Sequence, residues 1–302
     1  MVKKAWSVAR VLACSVAALA FVAGEAQARE NDLVLTRFAT FDYNQYGTDS
    51  NPCELACGQV QPDDDSFSKL TSDLGEVFAP RFSNPAETLG EAGFAVNFLT
   101  SVSFIQAQEP HWQEGVEDRD PSSTLLTGHL QLRKGLPFSF EVAGDMSYLF
   151  DSEMFAMGAH VKWALNEGFY YMPDVAVRGS VNTLLGADTL NLVTAGWDVS
   201  ISKDFGLGGV VSLAPFLGYQ NLYIISSSRL LNAYPQDPRP PQSDPNDATR
   251  IFSPEFVFSQ RTQTVNRFFM GARLNVWILS FVAEGMIGQN VNQLNFSAGV
   301  DF

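Results

Sequence analysis

Ten segments of this chain alternate apolar and polar residues with a period of two, and this pattern constrains the fold more than any other feature. The segments span 91–106, 123–134, 137–149, 153–165, 173–185, 189–203, 208–224, 262–277, 279–289 and 292–302. Successive side chains of a β-strand point to opposite faces, so each segment predicts a strand with two different faces. In 153–165, one face carries Phe155, Met157, Ala159, Val161, Trp163 and Leu165.

The length of these segments decides between a soluble sandwich and a membrane barrel, since both alternate. Soluble strands are usually about five or six residues long, whereas a tilted strand that crosses a membrane needs roughly ten. Most of the ten segments are longer than that, and their polar faces carry Gly, Ser, Asn and opposite charges, which is typical of a lumen. We therefore predict an all-β fold over 91–302, an antiparallel transmembrane β-barrel of about ten strands, with roughly eight to fourteen possible.

The links between the segments agree with this prediction. The two longest links, 107–122 and 225–261, follow the first and the seventh segment. If the first strand starts in the periplasm, both links face the outside, where such barrels carry their long loops. The links on the other side are mostly tight, as at 134–137 and near Trp277, with a longer one at 166–172.

The N-terminus predicts a secretory signal over residues 1–28. An apolar stretch over residues 11–23 follows the basic residues Lys3, Lys4 and Arg10. The small residues at 26 and 28 form a cleavage pattern. Residues 29–90 are then expected to be an irregular N-terminal segment, either periplasmic or inserted into the lumen. Cys53 and Cys57 predict a local disulfide, because an exported chain meets an oxidising compartment.

The last strand carries a resemblance to a known class. From Leu294 to Phe302, apolar residues occupy every second position back from the terminal Phe. This ending resembles the C-terminal signal of bacterial outer-membrane β-barrel proteins, although an aromatic residue is common where Val300 stands. The resemblance implies the outer membrane of a Gram-negative cell, contact with outer-membrane lipid and lipopolysaccharide, and recognition by the barrel-assembly machinery. It identifies no narrower family.

Composition excludes several function classes. The net charge is -14, and removal of residues 1–28 leaves 16 basic and 32 acidic residues, so a nucleic-acid partner is not expected. No segment after the signal has about 18 consecutive apolar residues, which excludes spanning helices there. The acidic run 63–65 lacks the spacing of a calcium loop and predicts a solvated turn rather than a metal site.

The usual catalytic motifs are missing, and we predict neither an enzyme nor a cofactor. Outer-membrane proteases of the omptin type also use about ten strands, with Asp and His near the outer rim. In this chain, His111 is the histidine that falls in a predicted outer link, beside Glu109 and Trp112.

The candidate functional residues are the ionisable side chains on the polar faces of the strands. They would either form a constriction that selects a small solute or a salt-bridge network that fills a narrow barrel. We thus predict a narrow, porin-like passive channel or a structural barrel. The alternative is a non-conducting surface-binding or adhesion protein that acts through 107–122 and 225–261. The residues are His129, Arg133, Glu141, Asp145, His160, Lys162, Arg178, Asp198, Arg267, Arg273 and Glu284.

Overall fold

The computed structural model describes residues 29–42, 59–81, 83–206, 208–232 and 255–302. The predicted signal peptide, the predicted Cys53–Cys57 disulfide and residues 233–254 of the predicted loop 225–261 lie outside the described residues. Within the described ranges, no helix is both long enough and apolar enough to cross a membrane.

The N-terminal part is short strands followed by one helix. A single 3-10 turn, Leu35–Phe38, leads into β1 (Ala39–Asp42), which pairs antiparallel with β2 (Gln59–Pro62). Helix α1 (Asp64–Phe78) follows directly. Asp63 caps this helix, because its carboxylate accepts hydrogen bonds from the amides of Asp65 and Ser66.

Ten antiparallel strands close into a barrel, and a short helix α2 (Pro110–Gly115) lies in the first long link. The barrel strands are β3 (Phe94–Phe104), β4 (Thr124–Leu136), β5 (Phe140–Leu149), β6 (Phe155–Asn166), β7 (Asp174–Leu185), β8 (Leu190–Ser202), β10 (Val211–Ser228), β13 (Arg261–Val276), β14 (Leu279–Ile287) and β15 (Asn292–Asp301). Each strand pairs with the next barrel strand, and β13 pairs with both β10 and β14, while β15 pairs with β3 and closes the ring. Three two-residue strands complete the set: β9 (Phe205–Gly206), β11 (Leu231–Asn232) and β12 (Glu255–Phe256).

The predicted barrel is confirmed, and each of the ten predicted segments overlaps one barrel strand. The largest difference is in β10, which continues to Ser228 instead of ending at 224. It continues because its outer end remains paired on both sides, with Leu190 of β8 opposite Ser228 and Arg261 of β13 opposite Ser226. The predicted loop 225–261 is therefore wrong at its start, and the link runs over 229–260.

The outside of the barrel is apolar. Outward-facing side chains such as Phe98, Val161, Met270 and Phe296 are exposed around the wall. Aromatic side chains stand on the links at one end of the barrel. Phe138, Tyr171 and Trp277 are exposed by 88%, 92% and 79% there. An apolar band with an aromatic rim is the surface that a barrel presents to lipid and its interface.

The two ends of the barrel differ in their links. One end has the short links 137–139, 203–210 and 277–278, together with both termini of the barrel. The other end has the long links 105–123 and 229–260. In outer-membrane barrels, long links face the outside, so this second end is the outer end.

Three segments pack together around an apolar core at the outer end of the barrel, and we call this group the cap. It consists of residues 29–38, 105–118 and 256–258. Phe38, Trp112 and Phe258 are buried in it, and they form one cluster with the apolar side chains of α1. Leu33 forms a β-bridge with Val116, which joins the N-terminal segment to the first outer link.

Candidate functional site

The ionisable residues predicted on the inner face of the barrel are all buried. Six inward-facing residues stand opposite one another across consecutive strands and form what we call the charged row. Within it, Lys162 Nζ lies 3.2 Å from Glu141 Oε1, and Arg178 Nε lies 3.2 Å from Asp198 Oδ2. The row contains Glu141, Lys162, Arg178, Asp198, Gln220 and Arg267. Glu141 therefore neutralises Lys162 and Asp198 neutralises Arg178, whereas Arg267 donates a hydrogen bond of 2.9 Å from Nε to the amide oxygen of Gln220.

A second group forms a hydrogen-bonded chain between β4 and β5. Thr127 Oγ1 lies 3.1 Å from His129 Nε2, and His129 Nδ1 lies 3.3 Å from Asp145 Oδ2. A hydroxyl, an imidazole and a carboxylate in this order could in principle activate the hydroxyl as a nucleophile. All three side chains are buried, so in this conformation the chain satisfies the polar groups of the wall.

The remaining predicted residues have different partners. Arg133 NH1 lies 3.6 Å from Glu141 Oε1, and Arg133 NH2 lies 3.5 Å from Asp301 Oδ1. Glu284 Oε1 accepts a hydrogen bond of 2.7 Å from the amide of Asn295. His160 is buried on β6, two residues from Lys162. Arg273 forms an ion pair with Glu87, a residue of the N-terminal segment.

Residues 63–81 and 83–90 lie inside the barrel, and we call them the plug. Its first part is α1, which contacts β8, β10 and β13. Ser226 of β10 donates a hydrogen bond of 3.0 Å to Thr71, and Gln263 of β13 donates one of 2.7 Å to the carbonyl of Ser68. On the far side of the ring, Gln293 of β15 donates a hydrogen bond of 3.0 Å to the carbonyl of Glu76, and Asn182 of β7 donates to the carbonyl of Phe78. Strands β15 and β7 stand on opposite sides of the ten-strand wall, so the helix occupies the lumen.

The lumen is not polar along its whole length, which corrects the expectation that the lumen is lined by the polar faces of the strands. In the outer half, eight inward-facing side chains of the wall are apolar and belong to one cluster with Phe67, Leu70, Leu74 and Val77 of α1. A helix with one wide apolar face excludes water from such a wall, so the outer half resembles a protein core. The wall side chains are Leu125, Leu149, Leu184, Leu190, Leu192, Leu222, Ile224 and Val265.

Arg81 terminates the helix. Its guanidinium folds back and donates to the carbonyls of Glu76, Val77 and Ala79, with 3.1 Å to Glu76 and 2.7 Å to Ala79. These carbonyls have no intrahelical partner, and a cation near them interacts favourably with the helix dipole. Arg81 is completely buried, so this contact lets a charged side chain remain at the centre of the lumen.

The second part of the plug, residues 83–90, crosses the periplasmic half of the lumen without regular structure. Its backbone is held by polar wall residues: Ser202 Oγ accepts from the amide of Ala86 at 2.9 Å, and Lys162 donates to the carbonyl of Glu87 at 2.7 Å. Glu141 accepts from the amide of Leu89 at 3.2 Å. Several predicted lumen residues thus bind the plug rather than a solute.

The first outer link is packed into the cap. His111 and Trp112 both contact Asp73 of α1, with His111 Nε2 at 3.0 Å and Trp112 Nε1 at 2.8 Å from Asp73 Oδ2. Both rings are buried. The link 107–122 therefore buries the histidine that the sequence placed near the outer rim, and it exposes Glu109, Glu114 and Glu117 instead.

Sequence reasoning missed the plug helix and its partners. Asp63 as a cap, together with apolar residues at 67, 70, 74 and 77, is a helix signal that was available in the sequence. Polar wall residues such as Gln131 and Asn182 were also available, since they share the inward face with residues that were predicted. Gln131 donates to the carbonyl of Arg81 at 3.2 Å, and Asn182 donates to the carbonyl of Phe78.

Comparison with known proteins gives similar folds at low identity. No protein-family model matches the chain, and no curated protein matches it. Among solved structures, Ail of Yersinia pestis is 12% identical with a TM-score of 0.27, covering 70% of this chain and 99% of its own. Omp33 of Acinetobacter baumannii is 8% identical with a TM-score of 0.29, covering 71% and 100%.

A third neighbour, the KdgM porin, is 7% identical with a TM-score of 0.30, covering 69% of this chain and 99% of its own. Similarity at this level carries no information on activity. This chain is a bacterial outer-membrane β-barrel on its own features, which are the closed ten-strand wall, the apolar exterior, the short and long ends, and the C-terminal strand.

Proposed function

We propose that this protein is a structural barrel of the outer membrane that is closed to solutes, and that its filled lumen anchors the cap on the cell surface. The observation that carries this proposal is the plug, which extends from the outer end, where Gln263 binds Ser68, to the periplasmic end, where Glu141 binds Leu89. A passive channel requires an open path of water, and the charged row is occupied by wall and plug partners instead.

Conductance in planar bilayers tests the proposal. The purified protein is expected to give no steady current. A variant with Thr71→Cys and Ser226→Cys locks the plug to β10, because the two hydroxyl oxygens lie 3.0 Å apart and disulfide bonding needs such proximity. It is made in a Cys53→Ser/Cys57→Ser background, and the reduced form is the matched control.

Two results would contradict a closed barrel. A steady current through both the locked and the reduced form would mean that a water path exists beside the plug. A current that disappears on locking and returns on reduction would mean that the plug moves and that the protein is a gated channel.

A second candidate function, surface binding through 107–122 and 225–261, uses the same closed barrel. It is favoured by the way in which α1 holds the first outer link through Asp73, so that Glu109, Glu114 and Glu117 face solvent in a defined arrangement. Salt-sensitive retention of an oligolysine peptide by whole cells, lost when these three glutamates become glutamine, would support this candidate. Unchanged retention would count against it.

A further inference from the structure

The first described residues of the chain contact the outer end of the barrel. The amide of Asn31 donates to the carbonyl of Asp151 at 3.0 Å, and Arg29 donates to the carbonyl of Ser152 at 2.8 Å; both partners lie in the link between β5 and β6. The amide of Val34 donates to the carbonyl of Gly115 in the first outer link at 2.8 Å. Residues 29–38 are therefore at the outer end of the barrel.

The end of the plug lies at the opposite end. Thr88 binds the carboxylate of Glu167 in a periplasmic link, with 2.8 Å from its amide to Oε2. Gly93 accepts a hydrogen bond of 3.0 Å from the amide of Gly135, where β4 approaches its periplasmic turn. Between positions 38 and 93, the chain thus passes from the outer surface to the periplasmic rim.

The lumen is the one route that joins these two positions. The wall is a closed ladder of paired strands, so a covalent chain cannot pass through it sideways without breaking that pairing. An exported chain reaches the outer membrane from the periplasm. Residues 29–42 and 59–62 must therefore have moved outward relative to the wall before the barrel reached this structure.

From this geometry we infer that the chain passes its own N-terminal segment outward through the barrel during assembly, so that residues 29–42 and 59–62 are displayed on the cell surface. The plug stays behind in the lumen. The lumen holds one helix, which is about 10 Å wide with its side chains. The N-terminal segment therefore crosses a closed wall as a single strand or helix, or else the wall closes around the segment after it has crossed.

The cap explains why the segment does not return. Leu35 and Phe38 are buried in one cluster with Trp112, Val116 and Phe258. These three partners lie in the two long outer links. Burial of large apolar side chains stabilises by roughly 1.5–3 kcal/mol each. Once these groups have met outside the membrane, withdrawal of the segment would require the cluster to be exposed again.

Surface accessibility in intact cells tests this inference, and it does so independently of conductance. An epitope tag after residue 28 is compared with the same tag after Tyr171, an exposed residue of the periplasmic link 167–173. We expect antibody to stain the first tag equally in intact and permeabilised cells, and to stain the second only after permeabilisation. A heat-dependent gel shift shows that each tagged protein forms its barrel.

A cysteine pair keeps the inference testable if a tag prevents folding. Glu30→Cys and Tyr171→Cys, each in the Cys53→Ser/Cys57→Ser background, are treated with a membrane-impermeant maleimide. We expect position 30 to be fully labelled in intact cells. We expect position 171 to be labelled only after lysis. Labelling of position 30 only after lysis would place the segment in the periplasm and overturn the inference, and so would labelling of position 171 in intact cells, because the barrel would then be inverted.

Discussion

The two halves of the lumen are filled by different physical means. In the outer half, α1 packs apolar side chains against an apolar wall, and this cluster continues into the cap. In the periplasmic half, residues 83–90 are irregular and are held by Glu141, Lys162, Ser202 and Arg273 through hydrogen bonds and ion pairs. One half therefore resembles a hydrophobic core, and the other resembles a buried ionic network.

This difference assigns two separate roles to the two halves: one stabilises the plug inside the barrel, and the other sets its depth. Apolar packing gives most of the favourable free energy of burial but has little directional preference, so a helix could shift along it at modest cost. Buried ion pairs add little net stability, yet each charge is costly when it loses its partner. We conclude that the outer half holds the plug in the barrel and that the charged half determines its depth.

The largest effect is expected in the charged half. Glu141→Gln leaves Lys162 and Arg133 buried beside a neutral group, which should lower the free energy of unfolding by about 5 kcal/mol, the upper end for a broken buried pair. Urea unfolding in lipid vesicles, followed by tryptophan fluorescence, measures this change.

Two further variants sharpen that measurement. Asp64→Asn breaks an exposed ion pair with Arg261 and should cost no more than about 1 kcal/mol. Adding Lys162→Met to Glu141→Gln removes one unpaired cation and should recover part of the loss. Equal effects of Glu141→Gln and Asp64→Asn would show that the periplasmic half is hydrated rather than dry.

A somewhat smaller effect is expected in the apolar half. Phe67 is fully buried and stacks on Phe258 with ring centroids 4.3 Å apart, so Phe67→Ala should cost about 3 kcal/mol through lost contacts and a cavity. The lost stability should affect the cap, so we expect external protease to cleave residues 105–118 at a lower urea concentration than in the wild type. The heat-dependent gel shift of the barrel should persist. Phe268→Ala, on the lipid-facing side, is the control. Loss of the gel shift in Phe67→Ala would show that plug and wall unfold together.

The smallest effect is expected at the start of the plug helix. Asp63→Ala removes the N-cap and should cost about 1 kcal/mol, whereas Asp63→Ser retains a capping oxygen and should cost less. Partial burial opposes ionisation of Asp63, but hydrogen bonds from Ser66 and Asp65 outweigh it and lower the pKa of its carboxyl.

That lowered pKa gives the Asp63 cap a defined pH dependence. Its stabilisation is fully present above the ordinary Asp pKa and is lost as the pH falls through the lowered pKa. Acid titration of plug stability should therefore show a component in the wild type that Asp63→Ala lacks. A pH profile that the substitution does not change would mean that the cap contributes nothing measurable.

The wall could be predicted from the sequence because its signal is local. In β6, outward Met157 and Val161 and inward His160 and Lys162 alternate strictly, and the structure places them on opposite faces. The ends of strands were less predictable, as at Ser228, because pairing with distant partners decides where a strand stops. The inner face of the outer half was misjudged because inward leucines such as Leu184 and Leu192 gave no indication of what would cover them.

The sequence alone determined that this chain builds an outer-membrane barrel of about ten strands and which ionisable residues the wall carries inward, because side-chain alternation and strand length are properties of consecutive residues. The tertiary structure decided what fills that wall. It placed Glu87 beside Arg273 and Asp73 beside His111 and Trp112. It also turned the N-terminal segment from an irregular leader into a plug whose beginning lies outside. Such contacts join residues far apart in the chain, and they form only when the closed wall brings them together.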